Sequence, residues 1–352
     1  SSSSSSLSAK TSTTHSSQKL HVAVGHPRTN KSLHNQPHAA RAFSSGATVM
    51  KHMDRTYGAA EPSEFPFRHV PVLAEEVARV WMPPARFLSG TSSPPQPCLM
   101  VDATAGGGGH SKVLLDATVE HSNVRVLCID RDAKALQVCS QRLQDAGDRV
   151  FFAHGKFSEL PTMLERPDIS KFLGGGSVSG PGHACAGFVG GVLADLGVST
   201  YQLENPERGF SCMSEREGPL DMRMSYSPTA DGDEHHDDDS VSAADLVNNL
   251  SEDQLTWIFE EYGGISHKDA LKAARGIFDA RPLINTRQLA NAISGRSVNL
   301  GGRNSGVENV SSRRRADGQM QRYFQALRIA TNGELEELDA LLSLVPPRLV
   351  DG

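Results

Sequence analysis

The stretch Cys98-Leu99-Met100-Val101-Asp102-Ala103-Thr104-Ala105-Gly106-Gly107-Gly108-Gly109-His110 decides how this chain is read. A short apolar run ends in a carboxylate and then in four glycines, and Ser111, Val113, Leu114 and Leu115 follow at helical spacing. The run reads as a buried strand, and a turn without Cβ atoms lets backbone N–H groups approach a ligand at a helix start. Twenty residues past His110, a second apolar run, Val124 to Ile129, ends at Asp130. An acid at the tip of the next strand is placed to hold the hydroxyls of a ribose. Strand, glycine turn, helix, strand and acid together predict a site for a nucleoside cofactor.

The glycine spacing narrows the cofactor. A dinucleotide fold seats a pyrophosphate on G-x-G-x-x-G, whereas Ser111 and Lys112 stand here where the third glycine belongs. Asp102, just before the turn, would repel a pyrophosphate, but could orient the turn's amides or meet a cationic cofactor. S-adenosylmethionine carries a sulfonium and an ammonium and no phosphate, so it fits this pattern better than NAD. A tight turn without a ligand is the plain alternative.

Beyond this motif the 352 residues leave room for an insertion or a second small domain. The net charge of -6 gives no global nucleic-acid signature, so any RNA contact must be local. Five cysteines without a C-x-x-C pair argue against a zinc site and a disulfide framework, and no apolar run approaches a membrane span. Residues 1 to 53 hold six Lys or Arg and no Asp or Glu. That composition suits a transit peptide, and Arg41-Ala42-Phe43-Ser44-Ser45 resembles a mitochondrial processing site. The expected destination is the mitochondrial matrix; a plastid stroma or an ordinary disordered tail is the alternative.

The order of elements predicts an α/β fold, an open parallel sheet with helices on both faces, and an all-helical insertion. Four regions are expected: a disordered lead over residues 1–66, the first part of the α/β domain over 67–204, a helical insertion with a basic loop over 205–318, and a return over 319–352. Leu73, Val77, Val80 and Trp81 predict a first helix, Val150 to Phe152 a third strand, and Phe188 to Asp195 a fourth strand ending in an acid. Ser251-Glu252-Asp253-Gln254 is a capping box, and further helices are read at 268–280 and 287–293. One long helix is expected from Met320 to about Leu344.

Asp195-Leu196-Gly197-Val198-Ser199, Gln202, Glu207-Arg208-Gly209-Phe210-Ser211 and Gly218-Pro219-Leu220-Asp221-Met222-Arg223-Met224 crowd polar, charged and Met residues where a plain connector needs none. With the glycine turn, these blocks resemble the MraW/RsmH family of small-subunit rRNA cytosine-N4 methyltransferases and their organellar relatives, from His69 to about Ser343. The resemblance implies a class I methyltransferase, Rossmann-like parallel sheet, in which Gly108, Gly109 and His110 line the methionine and ribose part of S-adenosylmethionine, Asp130 binds the ribose hydroxyls, and Phe157 flanks the adenine. It also implies that Asp195 and Gln202 complete the pocket beside the methyl group, and that the partner is small-subunit rRNA or an assembling small subunit.

A cytosine amino nitrogen is a poor nucleophile, because its lone pair is delocalised into the ring. An acceptor must hold its hydrogens, and the base must leave its stack at a cost of about a few kcal/mol. Asp195 is the candidate catalytic acceptor; helix capping or donor binding without a chemical role is the alternative. Arg208, Arg223, Arg313, Arg314, Arg315, Arg322 and Arg328 are the candidate RNA contacts, with Arg296 and Arg303 in the same basic stretch. The plainer readings are a solvated loop for the basic stretch, core packing for Phe157, helix capping for His110 and a packing motif for Asp221 to Met224. His235 and His236 in an acidic run mimic a metal cluster, but such runs are normally solvated, so no metal is expected.

The family's His-Pro-Ala-Thr-like stretch is replaced by Asp317 to Gln321. The chain reaches Asp351-Gly352 where the family's fifth strand would begin, which implies a fragment of a longer protein and an open edge on the fourth strand. The second function considered is therefore a ribosome-assembly factor without chemistry, and the third a methyltransferase acting on protein or a small molecule.

Overall fold

The computed structural model describes residues 71–88, 97–173, 189–225, 227–228, 234–235, 240–295 and 310–345. The expectations for residues 1–66, for Arg296 and Arg303, and for most of the acidic run lie outside these, as do the side chains of Arg313, Arg314 and Arg315.

Strands β1 (Cys98–Asp102), β2 (Val124–Asp130), β3 (Val150–His154) and β4 (Val189–Leu193) form one sheet in the order β3-β2-β1-β4. Every neighbouring pair is parallel. The continuous apolar runs of β1 and β2 follow from burial on both faces. Cys98 and Met100 of β1 pack on one side with Leu114 and Leu136, whereas Leu99 and Val101 pack on the other with Leu160 and Ile169. The covering helices are α1 (Ala74–Val80), α2 (Ala85–Leu88), α3 (Gly109–Ala117), α4 (Ala133–Arg142), α5 (Leu160–Leu164) and α6 (Pro167–Phe172). Among the described strands β4 is an edge, and its residues after Val189 are only half-buried. The class I Rossmann-like expectation holds.

The helical part comprises α7 (Thr200–Glu204), α8 (Ala243–Asn249), α9 (Glu252–Glu261), α10 (His267–Ala280), α11 (Thr286–Ser294), α12 (Val310–Asn332) and α13 (Glu334–Leu344). The capping box of α9 forms as expected: Gln254 N donates to Ser251 Oγ at 3.2 Å, and Ser251 N to Gln254 Oε1 at 2.9 Å. Leu220, Met222 and Met224 are buried in the core of this part, and Ala243 N donates to the Asp221 carbonyl at 2.7 Å. The Asp221–Met224 block therefore packs the insertion together.

Several expectations are corrected. The long helix starts at Val310 and breaks at Gly333, whose φ of 58° is left-handed and cheap only for glycine. Tyr323, Phe324, Ala326 and Leu327 belong to the insertion's core, so the helical part runs past the expected boundary at 318. Of the four residues read for the first helix, Leu73 and Val80 are exposed at 63% and 88%, whereas Val77 and Trp81 pack on the core, joined by the buried Ala78. Helix α8 was not expected; its Ser242–Asp245 capping box uses Asp where the searched pattern has Glu or Gln.

Among the described residues no helix is long and apolar enough to cross a membrane, and no group of three His, Cys, Asp or Glu could hold a metal.

Candidate active site

A cavity of about 810 Å³ opens at the carboxyl ends of the strands, where ligands bind in open parallel sheets. The glycine turn, Asp130 and Phe157 line it together with Gln325 and Arg328 of α12 and Leu338 of α13. Asp195 stands two residues past β4, exposed, and is part of the same lining.

The turn is built from below. Asp102 is 1% exposed; its Oδ2 accepts from Ser111 Oγ at 2.6 Å and its Oδ1 from Thr104 N at 3.3 Å. Burial raises its carboxyl above the ordinary range, against the pull of these two bonds. Asp102 does not line the cavity, so of its two expected roles it takes the one that orients the turn. Cys128 Sγ donates to Ser111 Oγ at 3.3 Å, and burial pushes this thiol well above its usual range, which removes it as a nucleophile.

Asp130 accepts from Gly106 N at 2.7 Å and from Asp132 N at 2.9 Å. Burial raises its carboxyl to about 6, while these two amides oppose the rise. Gly109, His110 and Phe157 line the cavity, and His110 Nε2 pairs with the Val72 carbonyl at 3.0 Å. Gly108 is a correction: it does not line the cavity but faces α4, where an added Cβ would stand 2.8 Å from Cys139 Sγ. Its φ of 77° adds strain for any other residue. Gly108→Ala is expected to cost about 1–3 kcal/mol of stability, read by thermal denaturation; an unchanged melting temperature would refute the packing role.

Gln202 lines the cavity but is 4% exposed, with Nε2 donating to Asp132 Oδ2 at 2.9 Å and Oε1 accepting from Ser199 N at 3.1 Å. Its amide therefore serves the protein's interior. Two arginines expected at RNA, Arg208 and Arg223, are likewise engaged within the protein. Arg208, 4% exposed, is paired with Asp132 at 2.7 Å and donates to the carbonyls of Arg223 and Met224. Arg223 is paired with Asp221, whereas Arg322 is exposed while it donates to the carbonyls of Gly263 and Gly264. A buried guanidinium whose donors meet carboxylate and carbonyl oxygens is a structural brace, because freeing it would strand those acceptors. Arg328 lines the cavity while making a two-pronged pair with Glu334 at 2.7 and 2.9 Å.

Sequence reasoning missed Asp132, Thr104 and Asn332. Asp132 carried a signal, since an Asp before an apolar helical pattern is an N-cap, and its Oδ1 accepts from Lys134 N at 3.1 Å. Asn332 holds Met224 N and the Met222 carbonyl, each at 2.7 Å; no local pattern announces a contact across so many residues.

The sheet order and a cavity at its strand ends are those of a Rossmann-like α/β fold, and the family match makes that fold a class I methyltransferase's. The chain belongs to the MraW methylase family, which it matches over residues 66–352. The protein from Cyanothece sp. named ribosomal RNA small subunit methyltransferase H is 36% identical over 293 residues, 83% of this chain and 78% of that protein. Proteins of the same name from Sorangium cellulosum and Syntrophotalea carbinolica are 35% identical over 288 residues and 36% over 276. These matches cover 81% and 77% of this chain and 73% and 70% of those proteins.

Proposed function

We infer that this chain uses S-adenosylmethionine to methylate the N4 amino group of a cytidine in small-subunit ribosomal RNA. The observation that carries the reading is the carboxylate-bearing cavity, with Asp130 against the glycine turn and Asp195 at the open side. The donor's chemistry fits these residues. Gly106 N, an amide that a pyrophosphate would need, is already given to Asp130, and the carboxylates favour a cationic ligand. A cavity of about 810 Å³ lies within the range of about 300–1,000 Å³ usual for such ligands. When bound, the donor supplies an electrophilic methyl on a sulfonium.

The chain's own residues do the rest. Asp130 accepts from ribose hydroxyls, Phe157 walls the adenine, and the turn at Gly106 and Gly107 leaves room beside the backbone. Asp195 accepts an amino hydrogen of the cytosine and turns its lone pair toward the methyl, so the catalysis is positioning together with acceptance of a proton. The names of the relatives support the RNA substrate, with Arg313, Arg314 and Arg315 remaining as candidate phosphate contacts on α12. The composition of residues 1–53 supports import into an organelle, the mitochondrial matrix first and the plastid stroma as the alternative. A fluorescent fusion carrying that segment distinguishes the two.

The test is incubation of the full chain with methyl-labelled S-adenosylmethionine and small-subunit RNA, naked or assembled, followed by nucleoside analysis. Label in N4-methylcytidine is expected; label on another nucleoside, on protein, or nowhere overturns the reading.

A pH dependence follows from Asp130. Its ionised form accepts from a diol, so lowering the pH through about 6 protonates it and weakens donor binding, toward tenfold per pH unit below that point. Asp130→Asn is expected to flatten the profile of donor affinity, and a variant that keeps the wild-type profile would refute the assignment.

A further inference from the structure

Asp195 begins a short loop, Asp195 to Ser199, that leads into α7. Leu196 in this loop is 49% exposed and Gly197 has a φ of 127°, while Val198 packs against the core of the helical part. Both ends are also tied by hydrogen bonds, and both ties run to the segments that hold Asp130. At the start, Asp195 N donates to Thr104 Oγ1 at 2.6 Å. Thr104 lies two residues before Gly106, whose amide donates to Asp130. At the end, Ser199 and Gln202 form a capping box, and Gln202 Nε2 donates to Asp132 Oδ2 at 2.9 Å. Asp132 N donates to the other oxygen of Asp130 at 2.9 Å.

Asp132 is more than a helix cap. An N-cap carboxylate can remain in water, yet this one is 0% exposed and gathers Lys134 N, Gln202 Nε2 and Arg208 on its two oxygens. Burying a charge is costly, and apolar packing would stabilise the fold at least as well. What the buried cluster adds is geometry: it fixes three segments at once, and through Arg208 it reaches the carbonyl of Met224, which also lines the cavity.

We propose that Thr104 and Asp132 are positioning residues that fasten the two ends of the Asp195 loop to the segments holding Asp130, so that the acceptor carboxylate is set in register with the methyl donor. This rests on the reading of function above. The reaction's atoms are unchanged; the two residues act through Asp195.

The experiment uses the full chain and three variants. Thr104→Val removes the acceptor at the loop's start while keeping its shape, Gln202→Leu cuts the tie to Asp132 while sparing the Asp132–Arg208 pair, and Thr104→Ser restores the hydroxyl. Calorimetric titration with S-adenosylmethionine is read beside single-turnover methyl transfer to small-subunit RNA. In Thr104→Val and Gln202→Leu, transfer is expected to slow by about tenfold to a hundredfold with donor affinity within about threefold of wild type. Thr104→Ser is expected to recover the rate, and the double variant to be less impaired than the product of the singles, because either cut frees the same loop. Rates per folded molecule that stay at wild type, with only the melting temperature lowered, overturn the proposal. So does a loss of donor affinity equal to the loss of rate. Wild-type protein that takes up no donor overturns the functional reading as well; wild-type protein that binds and transfers while the variants match it overturns the positioning alone.

Discussion

Asp195→Asn is expected to slow methyl transfer by about 10²–10⁴-fold while donor affinity and melting temperature stay near wild type. The argument starts from exposure. Asp195 is exposed at the cavity, and the hydrogen bond that fixes its position, to Thr104 Oγ1 at 2.6 Å, uses its backbone N–H and not its carboxylate. Replacing the carboxylate by an amide therefore leaves the tether in place and adds little strain. What changes is the chemistry offered to the cavity: an amide oxygen is a weaker acceptor, and its –NH₂ presents hydrogens to an amino group that must lose one. Single-turnover transfer to small-subunit RNA reads the effect, with calorimetry as the control for donor binding. If the variant transferred at a rate near wild type, Asp195 would be only a wall of the cavity. A drop confined to donor affinity would make it a binding group.

The contrast between Asp130 and Asp132 shows what the sequence makes legible. Asp130 ends an apolar strand opposite a glycine turn, a local pattern whose meaning follows from strand order alone, so both the sheet and this part of the cavity's lining could be read from residues 98 to 130. Asp132 matters because Gln202 and Arg208, far along the chain, meet its side chain. Such a meeting is a product of packing and leaves no periodic trace. The same limit explains the arginines. Composition marks Arg208, Arg223 and Arg322 as cations beside polar segments, but whether a guanidinium faces solvent or a buried carboxylate is decided by tertiary contacts. Helix α12 is a milder case, since its apolar face at Tyr323, Phe324 and Leu327 was visible, whereas the layer it packs into was not.

Arg208→Met is expected to destabilise the fold by about 3–5 kcal/mol, the usual cost of breaking a buried ion pair from one side. Arg208 and Asp132 are 4% and 0% exposed and 2.7 Å apart, so solvent does little to soften the loss. Removing the guanidinium leaves the Asp132 carboxylate buried with neutral donors only, and it also strands the carbonyls of Arg223 and Met224 that Arg208 had satisfied. Methionine keeps most of the volume, so the cost is electrostatic and not a cavity. Pairing it with Asp132→Asn removes the uncompensated charge, and the double variant is expected to be more stable than Arg208→Met alone. Equilibrium denaturation in urea of all three proteins measures the cycle. A single-variant cost below about 1 kcal/mol, the range of exposed pairs, would mean that water reaches this pair and that the cluster does not hold the three segments together.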